Sequence, residues 1–215
     1  MALPVLVTVS GMVGAGKSSA QGRILSVLER EGVRSEAWRF RTLPCFSLPF
    51  SRPRRRASAV TQPATRTATR PAVSRGVRYK RKSLTLWATV GYIGRMVAFR
   101  AYRRLHGSPG WAVCNRYFYD NLAHFELGSP AARRHLALLR RCMPRPDLAL
   151  LFVASPATIA ARRPQYAHDY LDRVWDAYRD VAAQFPELVV LSSEPDQATL
   201  ESVELLIARL VSSAR

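Results

Sequence analysis

Residues 11 to 19 read GMVGAGKSS and place Gly11, Gly16, Lys17 and Ser18 at the spacing G-x-x-x-x-G-K-[ST]. That spacing suits the holding of a polyphosphate. Glycines let backbone N–H groups converge on phosphate oxygens with no Cβ in the way. Gly11, Gly14, Ala15, Gly16, Lys17, Ser18 and Ser19 are therefore read together as the cradle. Lys17 would reach the β- and γ-phosphates, and the Ser18 hydroxyl would ligate Mg²⁺. ATP and Mg²⁺ are the ligands expected of such a loop.

The loop does this work only between a strand and a helix, and the flanking residues provide both. Val5 to Val9 is a short apolar run. Ser18 to Glu31 has helical periodicity, with Ile24, Leu25, Val27 and Leu28 on one face, and Gly32 follows as a stop. The helix start offers unpaired N–H groups and a positive dipole end to the same anion. Val33 to Phe40 reads as a second strand with Arg39 and Arg41 at its carboxyl end, where ligands bind in an open parallel sheet.

Further on, Ser83 to Leu105 is expected to be a long helix. Trp87, Val90, Ile93, Val97 and Tyr102 recur at helical spacing, and Trp87 and Tyr102 read as core residues. Arg95 interrupts that apolar body and must find an anion or water, while Arg100, Arg103 and Arg104 at the end leave an interfacial membrane helix as an alternative. Strands are expected at Trp111–Cys114, Asp147–Val153 and Leu188–Leu191. Helices are expected at Pro130–Cys142, Ala157–Arg163, Asp169–Gln184 and Gln197–Val211. This alternation predicts an α/β three-layer sandwich of the P-loop NTPase kind, with about five parallel strands and helices on both faces, in one domain over 1–215.

The chain's net charge is +18, from 33 Lys and Arg against 15 Asp and Glu. Between Ala37 and Tyr119 there are 18 Lys and Arg and no acid, while the remainder carries 15 of each. A neutral body therefore carries a basic insert, at about 44–82, rich in Pro, Ser, Thr and Arg and too poor in large apolar residues for a core of its own. Such a segment favours a phosphate-rich partner: nucleotide, nucleic acid or an anionic membrane surface. Cys45, Cys114 and Cys142 have no metal spacing and suggest reduced thiols in a cytoplasmic protein. No signal peptide or membrane span is expected. The four histidines show no ligand spacing.

The order of parts resembles the thymidylate kinase branch of the P-loop nucleoside monophosphate kinases. GMVGAGKS is followed by NRYFYD where that family has Asp-Arg-Tyr. PDLALLFVASP then stands where it has a Pro-Asp-Leu strand ending in Pro, and ARRPQYAHDYLDRVWDAYRDVAAQFPELVVL resembles its lid, the helix after it and its last strand. The resemblance implies that Arg116, Arg95 and Arg41 contact the phosphate of a monophosphate acceptor, with Tyr117 beside Arg116. It implies that Arg162 and Arg163 bring lid cations to the transferring phosphoryl group, and it allows a homodimer. The departures lie on the acceptor side: Val13 replaces an acid in the loop, Asn115 replaces the Asp of Asp-Arg-Tyr, and Val153 and Ser155 replace acids near the fourth strand's end. Two readings stand for Asp120: a substrate-side base or Mg²⁺ partner, or the N-cap of a helix starting at Asn121. Two functions follow. One is an ATP-dependent phosphotransferase acting on a nucleoside monophosphate or another anionic acceptor. The other is a weakened ATP-binding module whose basic insert docks nucleic acid or membrane.

Overall fold

The computed structural model describes residues 3–39, 79–106, 110–193 and 196–214. Arg41, and the basic insert apart from Tyr79–Lys82, lie outside them. The elements run β1 (Val5–Gly11), α1 (Lys17–Arg30), β2 (Ser35–Arg39), β3 (Lys82–Ser83), α2 (Leu86–His106), β4 (Trp111–Asn115) and α3 (Phe118–Leu122). They continue with β5 (Phe125–Glu126), α4 (Pro130–Cys142), β6 (Leu148–Val153), α5 (Pro156–Arg162), α6 (His168–Gln184), β7 (Leu188–Ser192) and α7 (Asp196–Ala214). Five strands form one parallel sheet in the order β2-β4-β1-β6-β7. This is the expected P-loop NTPase architecture, and α4 has the expected bounds.

β1 is central because its residues are apolar enough to be covered on both faces. Leu6, Val7 and Val9 are fully buried, as are Thr8 and Ser10. Its carboxyl end lies between those of β4 and β6, at the point where the strand order reverses and a crevice opens. On one side α1 packs on α7 and on β1, β2 and β4; elsewhere α2 packs on α4, and α6 on α5, α3 and β6. Helix ends follow local chemistry. Ser129 and Ser155 cap α4 and α5 by accepting from Ala132 N at 3.1 Å and Thr158 N at 3.2 Å. Beyond α1, Gly32 takes φ 68° and its N–H returns to the Glu29 carbonyl at 3.0 Å.

Three expectations need correction. Three of the α2 residues expected in the core face outward: Trp87 is 84% exposed and Val90 and Val97 are more than half exposed, while Thr89, Met96 and Phe99 are buried. Periodicity showed that α2 has an apolar face, but the helix is apolar nearly all round, so it could not show which face meets the body. The short helix after β4 starts at Phe118 with Tyr117 as N-cap, so Asp120 is its third residue rather than its cap. Tyr79 to Lys82, assigned to the insert, pack on the body. Tyr79 meets Tyr170 edge-to-face at 5.8 Å and donates its hydroxyl to the Ala123 carbonyl at 2.5 Å. Arg81 pairs with Asp180 at 2.5 Å, and β3 lies parallel to β5 in a second, two-stranded sheet. No helix among the described residues is long and apolar enough to cross a membrane.

Where β1 meets the loop, Gly11 has φ 136°, and a Cβ there would stand 2.0 Å from the Phe152 carbonyl oxygen. The sheet is closed against this residue and only glycine fits. Gly11→Ala should therefore destabilise the fold by more than about 2 kcal/mol, measured by urea denaturation; a melt overlaying wild type would show that β6 can move aside.

Candidate functional site

The cradle is built by the first turn of α1. Gly16 precedes it in a left-handed conformation at φ 79°, no side chain caps the helix, and no acid stands in its first turn. α4 and α5 have serine caps at the equivalent place; α1 leaves its first N–H groups to whatever enters the cleft. Lys17 folds back under the loop and donates to the carbonyls of Gly11 at 2.8 Å and Met12 at 2.5 Å. Burial lowers its pKa to about 8, a shift opposed by the charge of Asp120 and reinforced by that of Arg116. An ammonium held in this way gains from an arriving phosphate, which restores the charge that burial disfavours.

A cleft of about 770 Å³ opens over this turn. The expected Gly14, Gly16, Lys17, Ser18, Ser19, Arg116, Arg162 and Arg163 all line it, together with Val13, Asn115 and Arg39. Gly11 and Ala15 are buried beneath it as backbone. Arg162 reaches the Gly14 carbonyl at 3.4 Å and is anchored by Ser193, at 3.3 Å to its hydroxyl and 3.1 Å to its carbonyl. Arg163 lies so close to Gly14 that a Cβ there would touch its side chain at 3.4 Å. Arg162 and Arg163 thus sit against the glycine-rich loop. Arg39, at the end of β2, lines the cleft on the side where Arg41 was expected to act.

Arg116 is held in an unusual way. Its φ is 72°, the one positive value among the described non-glycine residues. Its N–H bonds the Val9 carbonyl at 2.9 Å and its own carbonyl accepts from the Cys114 thiol at 3.3 Å. A left-handed arginine costs about 1–2 kcal/mol, and here it turns the chain from β4 into α3 so that the guanidinium lines the cleft. Asn115 beside it is fixed by Gln21 of α1 at 3.1 Å, and Gln21 is itself held by the Val113 carbonyl at 3.0 Å.

Three of the expected residues are placed elsewhere. Tyr117 is fully buried and its hydroxyl bonds the Pro144 carbonyl, so the core takes it and not a substrate. Asp120 is also buried. Its Oδ1 accepts from Gly11 N at 3.2 Å and from the Tyr178 hydroxyl at 2.8 Å, and its Oδ2 accepts from Tyr117 N at 3.0 Å. Three donors occupy this carboxylate, and it does not line the cleft. In this arrangement it clamps backbone rather than serving as a base or a metal ligand. Arg95 lies over the Tyr92 ring at 5.3 Å with its Nε buried and unpartnered among the described residues. It too is outside the residues lining the cleft. Sequence reasoning missed Tyr178, Gln21 and Ser193: a tyrosine on an amphipathic helix, a glutamine on another and a serine after a strand give no signal that they orient Asp120, Asn115 and Arg162.

The donor set decides what the cleft can hold. Backbone N–H groups and cations fit phosphate. For a divalent cation the cleft offers the Ser18 hydroxyl, and no group of three potential metal-binding side chains occurs among the described residues. Mg²⁺ commonly takes most of its ligands from phosphates and water, so one hydroxyl beside a phosphate cradle suits it.

The sheet order, the cradle and the uncapped helix define the P-loop NTPase fold. In particular, the chain is similar in structure to two solved thymidylate kinases. It matches the enzyme from Candida albicans with a TM-score of 0.56 at 15% identity, over 96% of this chain and 92% of that one. It matches the enzyme from Ehrlichia chaffeensis with a TM-score of 0.50 at 13% identity, over 98% and 99%. At such identities the likeness establishes the fold. No family profile and no curated protein matches the chain in sequence.

Because Arg116 carries backbone strain, its two roles can be separated. Arg116→Gly should leave stability unchanged or raise it by up to about 1 kcal/mol, while weakening the binding of inorganic pyrophosphate. Thermal melts and calorimetric titration check both halves. A large drop in melting temperature would mean that the side chain, not the backbone, shapes this turn.

Proposed function

We propose that the protein is an ATP-dependent phosphotransferase whose acceptor is a phosphomonoester, with a nucleoside monophosphate as the leading candidate. One observation carries the reading: the described residues lining the cleft include five cations, Lys17, Arg39, Arg116, Arg162 and Arg163, and no carboxylate. Phosphoryl transfer needs little more of a protein than positioning and cancellation of charge on the transferring group. Lys17 and the α1 amides hold the β- and γ-phosphates of ATP, and Arg162 and Arg163 face the group in transit. Arg116 and Arg39 hold the acceptor's phosphate. Mg²⁺, held by Ser18 and phosphate oxygens, would supply further charge neutralisation.

The missing carboxylate also points to the nucleophile. An alcohol acceptor must lose a proton as it attacks, which calls for a base. A phosphate oxygen is already anionic near neutral pH. It attacks the γ-phosphorus, the bond from that phosphorus to the β,γ-bridging oxygen breaks, and ADP leaves with no proton to place. Asn115 is neutral and pinned by Gln21, and Asp120 is committed to backbone, so neither supplies a base. The thymidylate kinase fold of the structural neighbours supports a nucleotide in both roles.

The test is ADP release from MgATP across a panel of nucleoside monophosphates, sugar phosphates and the matching unphosphorylated compounds, wild type against Lys17→Ala. Phosphorylated acceptors alone should react, and Lys17→Ala should lose about a hundredfold or more. Absence of ADP above the variant's background with every acceptor would sink the reading.

The pH response follows from Lys17. Its pKa is lowered to about 8 in the free protein, and a bound phosphate raises it again. Above pH 8 binding must then take up a proton, so affinity for ADP should be flat below pH 8 and fall towards tenfold per pH unit above it. Titration calorimetry in two buffers of different ionisation enthalpy reads that proton directly; no uptake at pH 9 would show that Lys17 does not meet the phosphates.

A further inference from the structure

We propose that Gln21 is a positioning residue that ties the acceptor half of the cleft to the nucleotide half, and that it does so by fixing the polarity of the Asn115 amide. What Arg39 and Arg116 hold is taken from the phosphotransferase reading; the polarity of the two amides follows from hydrogen bonding alone.

Donors and acceptors here can be ordered in only one way. Gln21 Nε2 donates to the Val113 carbonyl at 3.0 Å. A backbone carbonyl only accepts, so the nitrogen of Gln21 must face it and the oxygen is left for Asn115. Asn115 Nδ2 donates to that oxygen at 3.1 Å. The nitrogen of the Asn115 amide is thereby drawn towards α1. Its Oδ1 is left to the cleft, which Asn115 lines together with Arg39 and Arg116. The negative end of the amide dipole thus stands among cations. Reversing Gln21 would set oxygen against the Val113 oxygen and nitrogen against the Asn115 nitrogen.

Position gives this relay its reach. Asn115 is the last residue of β4. In the sheet it stands level with Val9 of β1 on one side and with Arg39 of β2 on the other, and Arg116 follows it at φ 72°. The two cations assigned to the acceptor's phosphate therefore flank the side chain that Gln21 holds. Lys17 and the first amides of α1 belong to the same helix as Gln21 and need no relay. A plain staple between α1 and β4 would need neither a second bond nor a polar side chain. Ala20, Ile24, Val27 and Leu28 already bury the helix, and an amide that leaves water must recover its hydrogen bonds. What Gln21 adds over an apolar residue is control of Asn115.

The same polarity excludes an acid at position 115. An aspartate there would turn a carboxylate oxygen towards Gln21 Oε1 with no hydrogen between them. Gln21 could escape only by reversing, and it would then give up Val113. Gln21 and Asn115 are a matched pair, and the neutral residue that stands where the resembled family has Asp goes with the glutamine on α1.

The experiment combines thermal melts with titration calorimetry on the full chain, using ADP first and then thymidine monophosphate on the ADP-saturated protein. Gln21→Met keeps the length of the side chain and removes both bonds. It should leave ADP affinity within about twofold and weaken the monophosphate about tenfold, as displacement of a gripping cation does. A general loss of structure would lower both affinities together. Asn115→Asp should lower the melting temperature by about 4 °C with Gln21 in place and by less than about 1 °C in the Gln21→Met background. Should Gln21→Met not fold, Gln21→Ala takes its place in both measurements. The proposal is overturned if the glutamine substitution moves the two affinities alike or moves neither, or if Asn115→Asp costs the same in both backgrounds. If the wild type binds ADP but no monophosphate, the acceptor reading is what fails, and the melts of the double substitution then decide by themselves whether the two amides are matched.

Discussion

The Asp120 carboxylate joins the three parts that must agree for the cleft to exist. One oxygen takes the N–H of Gly11, where β1 becomes the loop, and the hydroxyl of Tyr178, from the middle of α6. The other takes the N–H of Tyr117 at the entry to α3. The loop, the turn bearing Arg116 and the helix behind the lid are thus referred to one buried side chain. A buried charge is tolerated only when its hydrogen bonds are made, and here three donors make them. Burial raises the pKa of the Tyr178 phenol, and the Asp120 charge beside it raises it further, so the hydroxyl stays a donor across the ordinary pH range.

The clamp also governs Lys17. An ammonium buried beneath a loop would lose its proton more readily still without a carboxylate nearby, and Asp120 is the group whose charge opposes that loss. Arg116, on the same turn, pushes the other way. The site is therefore poised: with the cleft open, cations crowd one another and strain is held at Arg116. A polyphosphate relieves the crowding and pairs with the uncapped amides of α1. Several unfavourable features of the free protein thus become favourable in the complex, as expected of a preorganised anion site.

Much of this was legible in the residues, for a physical reason. Gly11, Gly16, Lys17 and Ser18 are constrained by local geometry, and local geometry is what spacing records. The sheet was readable because β1, β4 and β6 are apolar runs too short for helices. The orientation of Tyr117, Asp120 and α2 was not readable. Tyr117 and Asp120 lie within a few residues of Arg116, yet the chain turns at Arg116 through a conformation that nothing in an arginine announces. Their side chains consequently point to the core and to the loop instead of the cleft. For α2, an apolar helix with arginines at one end fits burial on either face; the choice depends on Phe99 packing against Trp38 and Tyr117, contacts across long stretches of sequence.

The charge distribution carries the argument one step further. A protein with a net charge of +18 could owe much of the excess to its ligand, and the described residues that line the cleft include five cations. Eight further arginines stand on α2 and α4, which carry no Asp or Glu of their own, and of these Arg103 turns inward to Asp147 and Arg140 lies near Glu187. Attraction at long range is non-specific, and a cation-rich layer alone would serve any polyanion.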